Sequence, residues 1–210
     1  MNDINLFIDG FRRFQENYFG ENKELFTKLK QGQKPSTLVI ACSDSRVDPA
    51  ILTNCEPGQM FVVRNVGNLV PPYETGAGLH GVSTALEFGV RSLEVEHIIV
   101  LGHRQCTGIR VLMEDGTPES KGEFIGNWVN IAKRAKERVL ADFSAASADA
   151  RIAACEEQSI LVSLENLMTF PWLRERVEQG KLTLHGWLFD LKHGKLVAYN
   201  PEQGAFESLT

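Results

Sequence analysis

The chain has 210 residues, of which 43% are hydrophobic and 23% charged, a composition that suits a globular protein of one large domain. Its formal net charge is −5 and no basic stripe is visible, which argues against nucleic acid as a partner, because that affinity depends on lysine and arginine contacts to phosphate. No apolar run reaches the roughly 18 residues that a membrane span requires, so we expect no membrane partner.

The predicted elements alternate between helices and strands along the chain. Apolar residues recur at helical spacing over 6–29 and predict one or two helices, with a break near Phe19-Gly20. Continuous apolar runs, typical of strands buried on both faces, predict strands at 37–41, 60–65 and 97–103. Later helices are predicted at 78–93, 107–113, 119–140, 148–168 and 171–178. Two strands, 182–189 and 195–199, flank the turn signal Lys192-His193-Gly194.

This order of elements predicts an α/β fold with a central, mainly parallel β-sheet flanked by helices. The C-terminal strand pair predicts an antiparallel addition to that sheet. Since no linker or repeat interrupts the chain, we expect residues 1–210 to form a single domain. Within it, residues 1–34 are predicted to form an N-terminal helical arm and residues 35–210 the α/β core.

Reactive side chains follow two of the predicted strands. Cys42-Ser43-Asp44-Ser45-Arg46 comes at the end of the first, and His103-Arg104-Gln105-Cys106 at the end of the third. Ligands of open α/β sheets bind at the carboxyl ends of strands. If the two strands are neighbours, Cys42, His103 and Cys106 converge. Two thiolates and one imidazole are typical of a catalytic zinc site whose fourth position is free.

Other interpretations of these residues stay open at this point. A cysteine at a strand end is often a small core residue. Cys42 and His103 could form a thiolate–imidazolium pair for covalent catalysis, although that leaves Cys106 without a role. A phosphatase-type loop is disfavoured, because it separates cysteine and arginine by six positions and here the separation is four. The other two thiols have no such neighbours, and we predict a free Cys55 and a buried core Cys155.

The residues around these strand ends resemble the β-class carbonic anhydrases, in their plant-like, open-site subgroup. The resemblance rests on Cys42 to Arg46, on Phe61 to Val66 with Asn68, and on Gly102, His103 and Cys106. It spans roughly residues 33 to 108, with weaker agreement at His185-Gly186-Trp187. It implies a zinc lyase that hydrates CO2 reversibly to bicarbonate and a proton through a zinc-bound hydroxide, with one Zn2+ per subunit. It also implies a homodimer or dimer of dimers with the active cleft at the interface.

The same resemblance assigns roles to individual residues. Cys42, His103 and Cys106 would bind zinc, and Asp44 and Arg46 would form a catalytic pair. In a closed state Asp44 would be a fourth zinc ligand. Substrate contacts would come from five further positions: Gln33, Phe61, Val66, Phe88 and Gly108. Phe88 stands where a tyrosine is common, and Thr107 replaces the first of two glycines.

One subgroup of the family binds a second bicarbonate, which pulls the aspartate onto the metal. This chain keeps the arginine of that pocket, Arg64, but has Val39, Ala41 and Phe189 at its other positions. We therefore expect an open site in which Asp44 pairs with Arg46. Because two thiolates cancel the metal's charge, we also expect CO2 hydration to rise only above neutral pH.

Three alternative functions remain at this level. Relatives of the same fold hydrolyse carbonyl sulfide or carbon disulfide. A structural zinc module for partner binding would need a fourth permanent protein ligand. A thiol enzyme would work without metal. The sequence begins without a signal-peptide pattern, and four cysteines of this kind favour a reducing cytoplasm over disulfides.

Overall fold

A computed structural model describes residues 3–21, 23–76, 78–114, 117 and 119–209 of the chain. The chain divides into two compact units, Met1–Lys34 and Pro35–Thr210. Their boundary coincides with the one predicted between the helical arm and the α/β core. That the two units form a single domain stays a prediction.

The N-terminal unit is helical and is held together by aromatic side chains. It contains α1 (Asp3–Gln15), a π-helical segment (Glu16–Glu21) and α2 (Lys23–Leu29). The ring centroid of Phe14 lies 5.5 Å from that of Phe26, in an edge-to-face arrangement that aromatic pairs favour. The predicted helices are thus confirmed, and their predicted break falls in the π-helical segment. Asn22 of this predicted region lies outside the described residues.

The second unit is built on a sheet of six strands within the described residues. The strands are β1 (Thr37–Cys42), β2 (Met60–Asn65), β3 (His97–His103), β4 (Thr183–Asp190), β5 (Lys195–Asn200) and β6 (Ala205–Ser208). Their order is β2-β1-β3-β4-β5-β6. Strands β1 to β4 are parallel to one another, and β5 and β6 extend the sheet beyond β4 as antiparallel strands. The predicted fold class is therefore confirmed.

Helices follow most of the parallel strands. They are α3 (Pro49–Thr53), α4 (Gly81–Glu87) with a π-helical continuation (Phe88–Ser92), α5 (Thr107–Met113), α6 (Ile125–Val129), α7 (Lys133–Asp142), α8 (Ala148–Leu167) and α9 (Pro171–Glu178). Single 3-10 turns lie at Val66–Asn68, Glu119–Lys121 and Asn130–Ala132.

Two helix predictions were wrong in extent. The helix predicted over 119–140 is divided between α6, α7 and two 3-10 turns. Gly122 adopts a φ of +127°, outside the helical region, and this separates the first 3-10 turn from α6. The helix predicted from residue 78 begins at Gly81 instead. Neither α3 nor β6 was predicted.

Both faces of the parallel strands are buried, which explains their continuous apolar sequence. On one face, Leu38, Ile40, Ile98 and Val100 pack under α4, α8 and α9. On the other face lie Val39, Ala41, Ile99 and Leu101. A third apolar cluster fills the space at the carboxyl ends of the strands, where α5, α6 and α7 meet, and it includes Cys42 and Cys106.

Helix α8 approaches the sheet closely because two strand positions have no side chain. A Cβ atom at Gly102 of β3 would lie 2.7 Å from Cδ1 of Ile160, and one at Gly186 of β4 would lie 2.9 Å from its Cγ2. Ile160 is fully buried. These contacts fix the position of α8 over the neighbouring strands β3 and β4.

We expect Gly186→Ala to lower the free energy of unfolding by about 1–3 kcal/mol, the usual cost of overpacking a core. The added methyl group would collide with Ile160 and with Leu164, whose Cδ1 would be 3.1 Å away. Urea unfolding measures the change. Gly81→Ala is the matched control, since nothing lies within 4 Å of its added Cβ. A Gly186→Ala protein as stable as the parent would contradict this packing.

Candidate metal centre

The three predicted ligands come together at the carboxyl end of the sheet. Cys42 is the last residue of β1 and His103 the last of β3, and the two strands are hydrogen-bonded neighbours, as convergence requires. Cys106 follows a short loop and lies directly before α5. All three side chains are buried, with exposed fractions of 4%, 1% and 2%.

The distances among these side chains suit a tetrahedral metal ion. The two Sγ atoms lie 3.9 Å apart, and two zinc–sulfur bonds of the usual length would separate them by about 3.8 Å. The ligand atoms all lie within 4.8 Å of one another. The Nδ1 of His103 is 2.9 Å from the carbonyl oxygen of Arg104, which leaves Nε2 facing the sulfurs. That buried Nε2 has no hydrogen-bond partner among the described residues, as expected of a metal ligand.

The ionisation of the Cys42 thiol also favours a cation at this site. The contact with Cys106 lowers the pKa of the Cys42 thiol to about 4, against the effect of burial. The same contact raises the pKa of Cys106, so Cys42 ionises first. A divalent ion between the sulfurs would remove the second proton, because a coordinating thiol is deprotonated. Burial acts to lower the pKa of His103, but Cys42, the carbonyl of Arg104 and Asp44 together more than offset it, and the net pKa is raised.

Asp44 and Arg46 form a bidentate pair beside the ligands. Arg46 donates from Nε to Oδ1 at 2.9 Å and from Nη2 to Oδ2 at 2.7 Å. These bonds hold the pKa of Asp44 well below its usual range. Oδ2 lies 3.9 Å from Nε2 of His103, so the carboxylate lies next to the imidazole ligand. Arg46 also donates to the carbonyl of Gln105 at 3.2 Å, which ties the pair to the loop that carries Cys106.

Arg64 holds the loop after β1 through hydrogen bonds from all three of its side-chain nitrogens. It donates from Nε to the carbonyl of Cys42 at 2.8 Å and from Nη2 to that of Asp44 at 2.7 Å. Its Nη1 lies 2.9 Å from Oδ2 of Asp48, the residue that caps α3. With these bonds made, Arg64 has little capacity to bind a second anion. The predicted open arrangement, with Asp44 on Arg46, agrees with these contacts.

Two of the five predicted substrate residues lie next to the ligands. The backbone N–H of Gly67, which follows Val66, points at Sγ of Cys42 at 3.4 Å. A Cβ at Gly108 would be 2.7 Å from Cγ1 of Val66. Glycine at this position therefore allows α5 to approach the segment beside Cys42.

Within the α/β core, the predicted substrate residues Phe61 and Phe88 do not lie next to the ligands. The rings of Phe61 and Phe88 contact each other, with centroids 5.7 Å apart. Phe61 pairs with Leu38, four residues before Cys42 and thus about 13 Å away along the strand. Gln33 belongs to the N-terminal unit, and its substrate contact stays a prediction.

Sequence reasoning missed the residues that hold the ligand loop from outside. Glu156 of α8 accepts a hydrogen bond from the backbone N–H of Cys106 at 3.0 Å. The only sequence signal was an acidic residue among apolar positions of the predicted helix, one turn before Ile160.

Of the remaining thiols, Cys155 is fully buried as predicted, and burial raises its pKa to about 12. None of the helices in the described part of the chain has the length and apolar character needed to cross a bilayer.

Comparisons with known proteins place the chain in a family. Residues 37–196 match the family model described as "Carbonic anhydrase". A carbonic anhydrase from Synechocystis sp. is 37% identical over 193 residues, which are 92% of this chain and 70% of that protein. Beta carbonic anhydrase 3 of Arabidopsis thaliana is 41% identical over 187 residues, 88% of this chain and 72% of that one.

Solved structures show the same relationship. The β-carbonic anhydrase CcaA superimposes with a TM-score of 0.91 at 35% identity, over 99% of this chain and 100% of that one. A β-carbonic anhydrase from Sordaria macrospora, described as tetrameric, gives a TM-score of 0.82 at 25% identity, over 100% and 98% of the two chains. The chain therefore belongs to the β class of carbonic anhydrases, zinc enzymes that convert CO2 and water into bicarbonate and a proton.

Proposed function

We propose that this chain hydrates CO2 reversibly at a zinc ion held by Cys42, His103 and Cys106, with Asp44 and Arg46 as the catalytic pair. The observation that carries the proposal is a buried set of three metal-binding donors with the carboxylate of Asp44 fixed beside it. When bound, zinc lowers the pKa of a water molecule on it from 15.7 to roughly 7.

Asp44 is suited to accept a hydrogen bond from the reacting water and to orient it toward CO2. The carboxylate stays ionised through the working pH range, because Arg46 depresses its pKa. An ionised carboxylate is a hydrogen-bond acceptor only, so a water molecule beside it must point a proton at it. That orientation turns a lone pair of the water toward the substrate.

Arg46 is suited to hold Asp44 away from the metal side. Its planar fork binds both carboxylate oxygens, which a lysine could not do. The backbone N–H of Arg46 also donates to Oδ1 at 3.0 Å, so three hydrogen bonds fix the carboxylate. In a closed state these bonds would break and Asp44 would become a fourth ligand.

The CO2 molecule itself needs an apolar slot beside the reacting water, since it is uncharged and only weakly hydrogen-bonding. Val66 and Gly108 supply one wall within the chain. Phe61, Phe88 and Gln33 complete the cleft in our proposal. The two aromatic rings then come from a second copy, because strand pairing places Phe61 away from Cys42 and Phe88 packs against Phe61.

We therefore propose a homodimer or dimer of dimers with the active cleft at the interface. An apolar groove of about 540 Å³ opens beside Val66 and is lined by Phe124, Ile125, Asn127, Trp128 and Ile131. Phe124 is 78% exposed and continues the apolar lining of this groove, so a second copy that covers the groove would bury its ring. The indole N–H of Trp128 donates to the carbonyl of Val66 at 2.7 Å, so the groove is tied directly to the substrate wall.

Phe124→Glu is expected to convert the oligomer into monomers, because a charge in a buried apolar interface is strongly unfavourable. Light scattering coupled to size exclusion gives the mass of each species. Ile51→Glu, at another exposed apolar position on α3, should leave the mass unchanged. A parent protein that is monomeric at micromolar concentration, or a Phe124→Glu protein of parental mass, would contradict this interface.

We also propose a reducing, cytoplasmic location. All four cysteines are free thiols, and two of them belong to the metal site, where oxidation would remove ligands. Fractionation of cells that express the natural protein, followed by antibody detection, tests this directly. Recovery in an oxidising compartment or in a plastid fraction would overturn it.

Stopped-flow CO2 hydration with and without zinc tests the proposed function as a whole. Chelation should abolish turnover, and stoichiometric Zn2+ should restore it. Carbonyl sulfide and carbon disulfide assayed on the same preparation separate the alternative substrates. Turnover that survives complete metal removal, or a zinc-loaded protein inactive on CO2, would overturn the proposal.

A further inference from the structure

The loop that carries two of the zinc ligands is held by a buried carboxylate on a distant helix. The side chain of Glu156 is only 3% exposed, yet it lies 50 residues from the loop in sequence. Its Oε1 accepts the backbone N–H of Cys106 at 3.0 Å. Cys106 is the N-cap residue of α5, and its own side chain makes no capping hydrogen bond. The hydrogen bond to Glu156 therefore satisfies a buried backbone N–H next to the sulfur ligand.

The same carboxylate is braced by Arg104, which lies between the two ligands of the loop. Nη1 of Arg104 is 3.6 Å from Oε2 of Glu156 and donates to the carbonyl of Ala153 at 2.6 Å. Its Nη2 donates to Glu157 on the same helix. The carbonyl of Arg104 in turn accepts from Nδ1 of His103 at 2.9 Å. One arginine thus connects the imidazole ligand to the helix that holds the cysteine ligand.

The loop needs such support because its backbone is not in a relaxed conformation. Gln105 adopts a φ of +59°, in the left-handed region that a non-glycine residue occupies only when its surroundings impose it. The position of α8 is fixed independently of the loop, because Ile160, one turn after Glu156, is seated against Gly102 and Gly186. Helix α8 therefore has a fixed position from which Glu156 can hold the loop in place.

From these contacts we infer that Glu156 is a positioning residue for zinc: it holds Cys106 through its amide so that the sulfur faces Cys42. Hydrogen-bond partners behind metal ligands typically change metal affinity by 10- to 100-fold when they are removed. The inference rests on zinc binding at the proposed site and not on the catalytic role of Asp44. Zinc binding by the parent protein is measured in the same titration, so a failure of the site and a failure of Glu156 give different results.

The test is the zinc affinity of Glu156→Ala and Glu156→Gln, measured by competition with a chromophoric chelator at a pH where both metal-free proteins are folded by circular dichroism. Glu156→Ala should bind zinc at least about tenfold more weakly than the parent. Glu156→Gln keeps an acceptor oxygen for the Cys106 amide and should stay within about threefold of the parent. Cobalt substitution adds a spectroscopic readout, since the thiolate charge-transfer band should shift in the alanine variant only.

Glu165→Ala is the matched control on the same helix. Glu165 pairs with Arg134 at 3.1 Å and with Arg138 at 2.8 Å but touches no part of the ligand loop. Its loss should lower thermal stability and leave zinc affinity unchanged.

If Glu156→Ala does not fold, Glu156→Met replaces it, because methionine keeps the volume of the side chain and offers no comparable acceptor.

Three results would overturn the inference. The first is a folded alanine or methionine variant that binds zinc within threefold of the parent. The second is a glutamine variant as weak as the alanine variant, which would show that the acceptor oxygen is not what matters. The third is an unchanged cobalt spectrum in the alanine variant.

Discussion

Cys42→Ser is expected to lose bound zinc and to lower kcat/KM for CO2 hydration by at least about 10³-fold, because the metal supplies several kcal/mol of transition-state stabilisation. Sulfur is the donor that zinc prefers in this set, and a serine hydroxyl does not ionise at neutral pH. The sulfur of Cys42 is buried and also accepts the N–H of Gly67, so the substitution removes a donor that the surrounding chain holds in place. Two donors would remain, too few for a stable site.

Metal content by atomic absorption and turnover by stopped flow are the two measurements. Cys55→Ser is the matched control, since this thiol is only half-buried and lies outside the ligand cluster. It should keep one zinc per subunit and parental turnover. A Cys42→Ser protein with stoichiometric zinc, or with kcat/KM within tenfold of the parent, would exclude Cys42 as a ligand.

The convergence of the ligands was predictable from sequence because it follows from strand chemistry. Uninterrupted apolar runs identify strands buried on both faces, and parallel strands present their carboxyl ends at one edge. Cys42 and His103 stand at the ends of two such runs. The apolar runs do not show which strands lie side by side in the sheet. The two strand ends are neighbours only because β1 pairs with β3, and that pairing is seen in the structure.

Short elements escaped prediction because their signals are local and weak. Helix α3 has only five residues and depends on Asp48, whose carboxylate accepts the N–H groups of Ala50 and Ile51, with Pro49 at its first position. An Asp-Pro pair is equally typical of a turn. Strand β6 has four residues at the sheet edge and little apolar sequence. It is held by pairing with β5 and by the packing of Phe206 against the core, and neither contact follows from sequence periodicity.

The contacts behind the ligands could not be predicted for a different reason. Glu156 and Cys106 are 50 positions apart, and their contact depends on where α8 crosses the sheet. That crossing is set by two glycines under Ile160, and each glycine by itself could equally mark a turn or a bulge. A buried carboxylate in an apolar stretch of helix was the one available hint. The sequence therefore predicts the metal-binding side chains of this site better than the contacts that hold them in position.

Asp44→Asn should leave zinc bound and reduce kcat/KM by about 10²-fold or more, within the range that a positioned acid–base group contributes. The carboxamide has nearly the same shape, so the ligands should not move. It presents an N–H₂ group where Asp44 has an acceptor, so it can no longer select the orientation of the reacting water. It also leaves Arg46 without its charged partner beside the site.

Asp9→Asn separates this effect from the loss of any aspartate–arginine pair. Asp9 accepts from Arg12 at 2.7 Å on the exposed surface of α1, and its replacement should change neither zinc content nor turnover. Arg46→Lys provides a graded intermediate, since one ammonium group cannot hold both oxygens of Asp44 and the carboxylate becomes free to reach the metal. A zinc-replete Asp44→Asn protein within threefold of parental kcat/KM would show that the carboxylate orients nothing, and that its pair with Arg46 only closes the loop after β1.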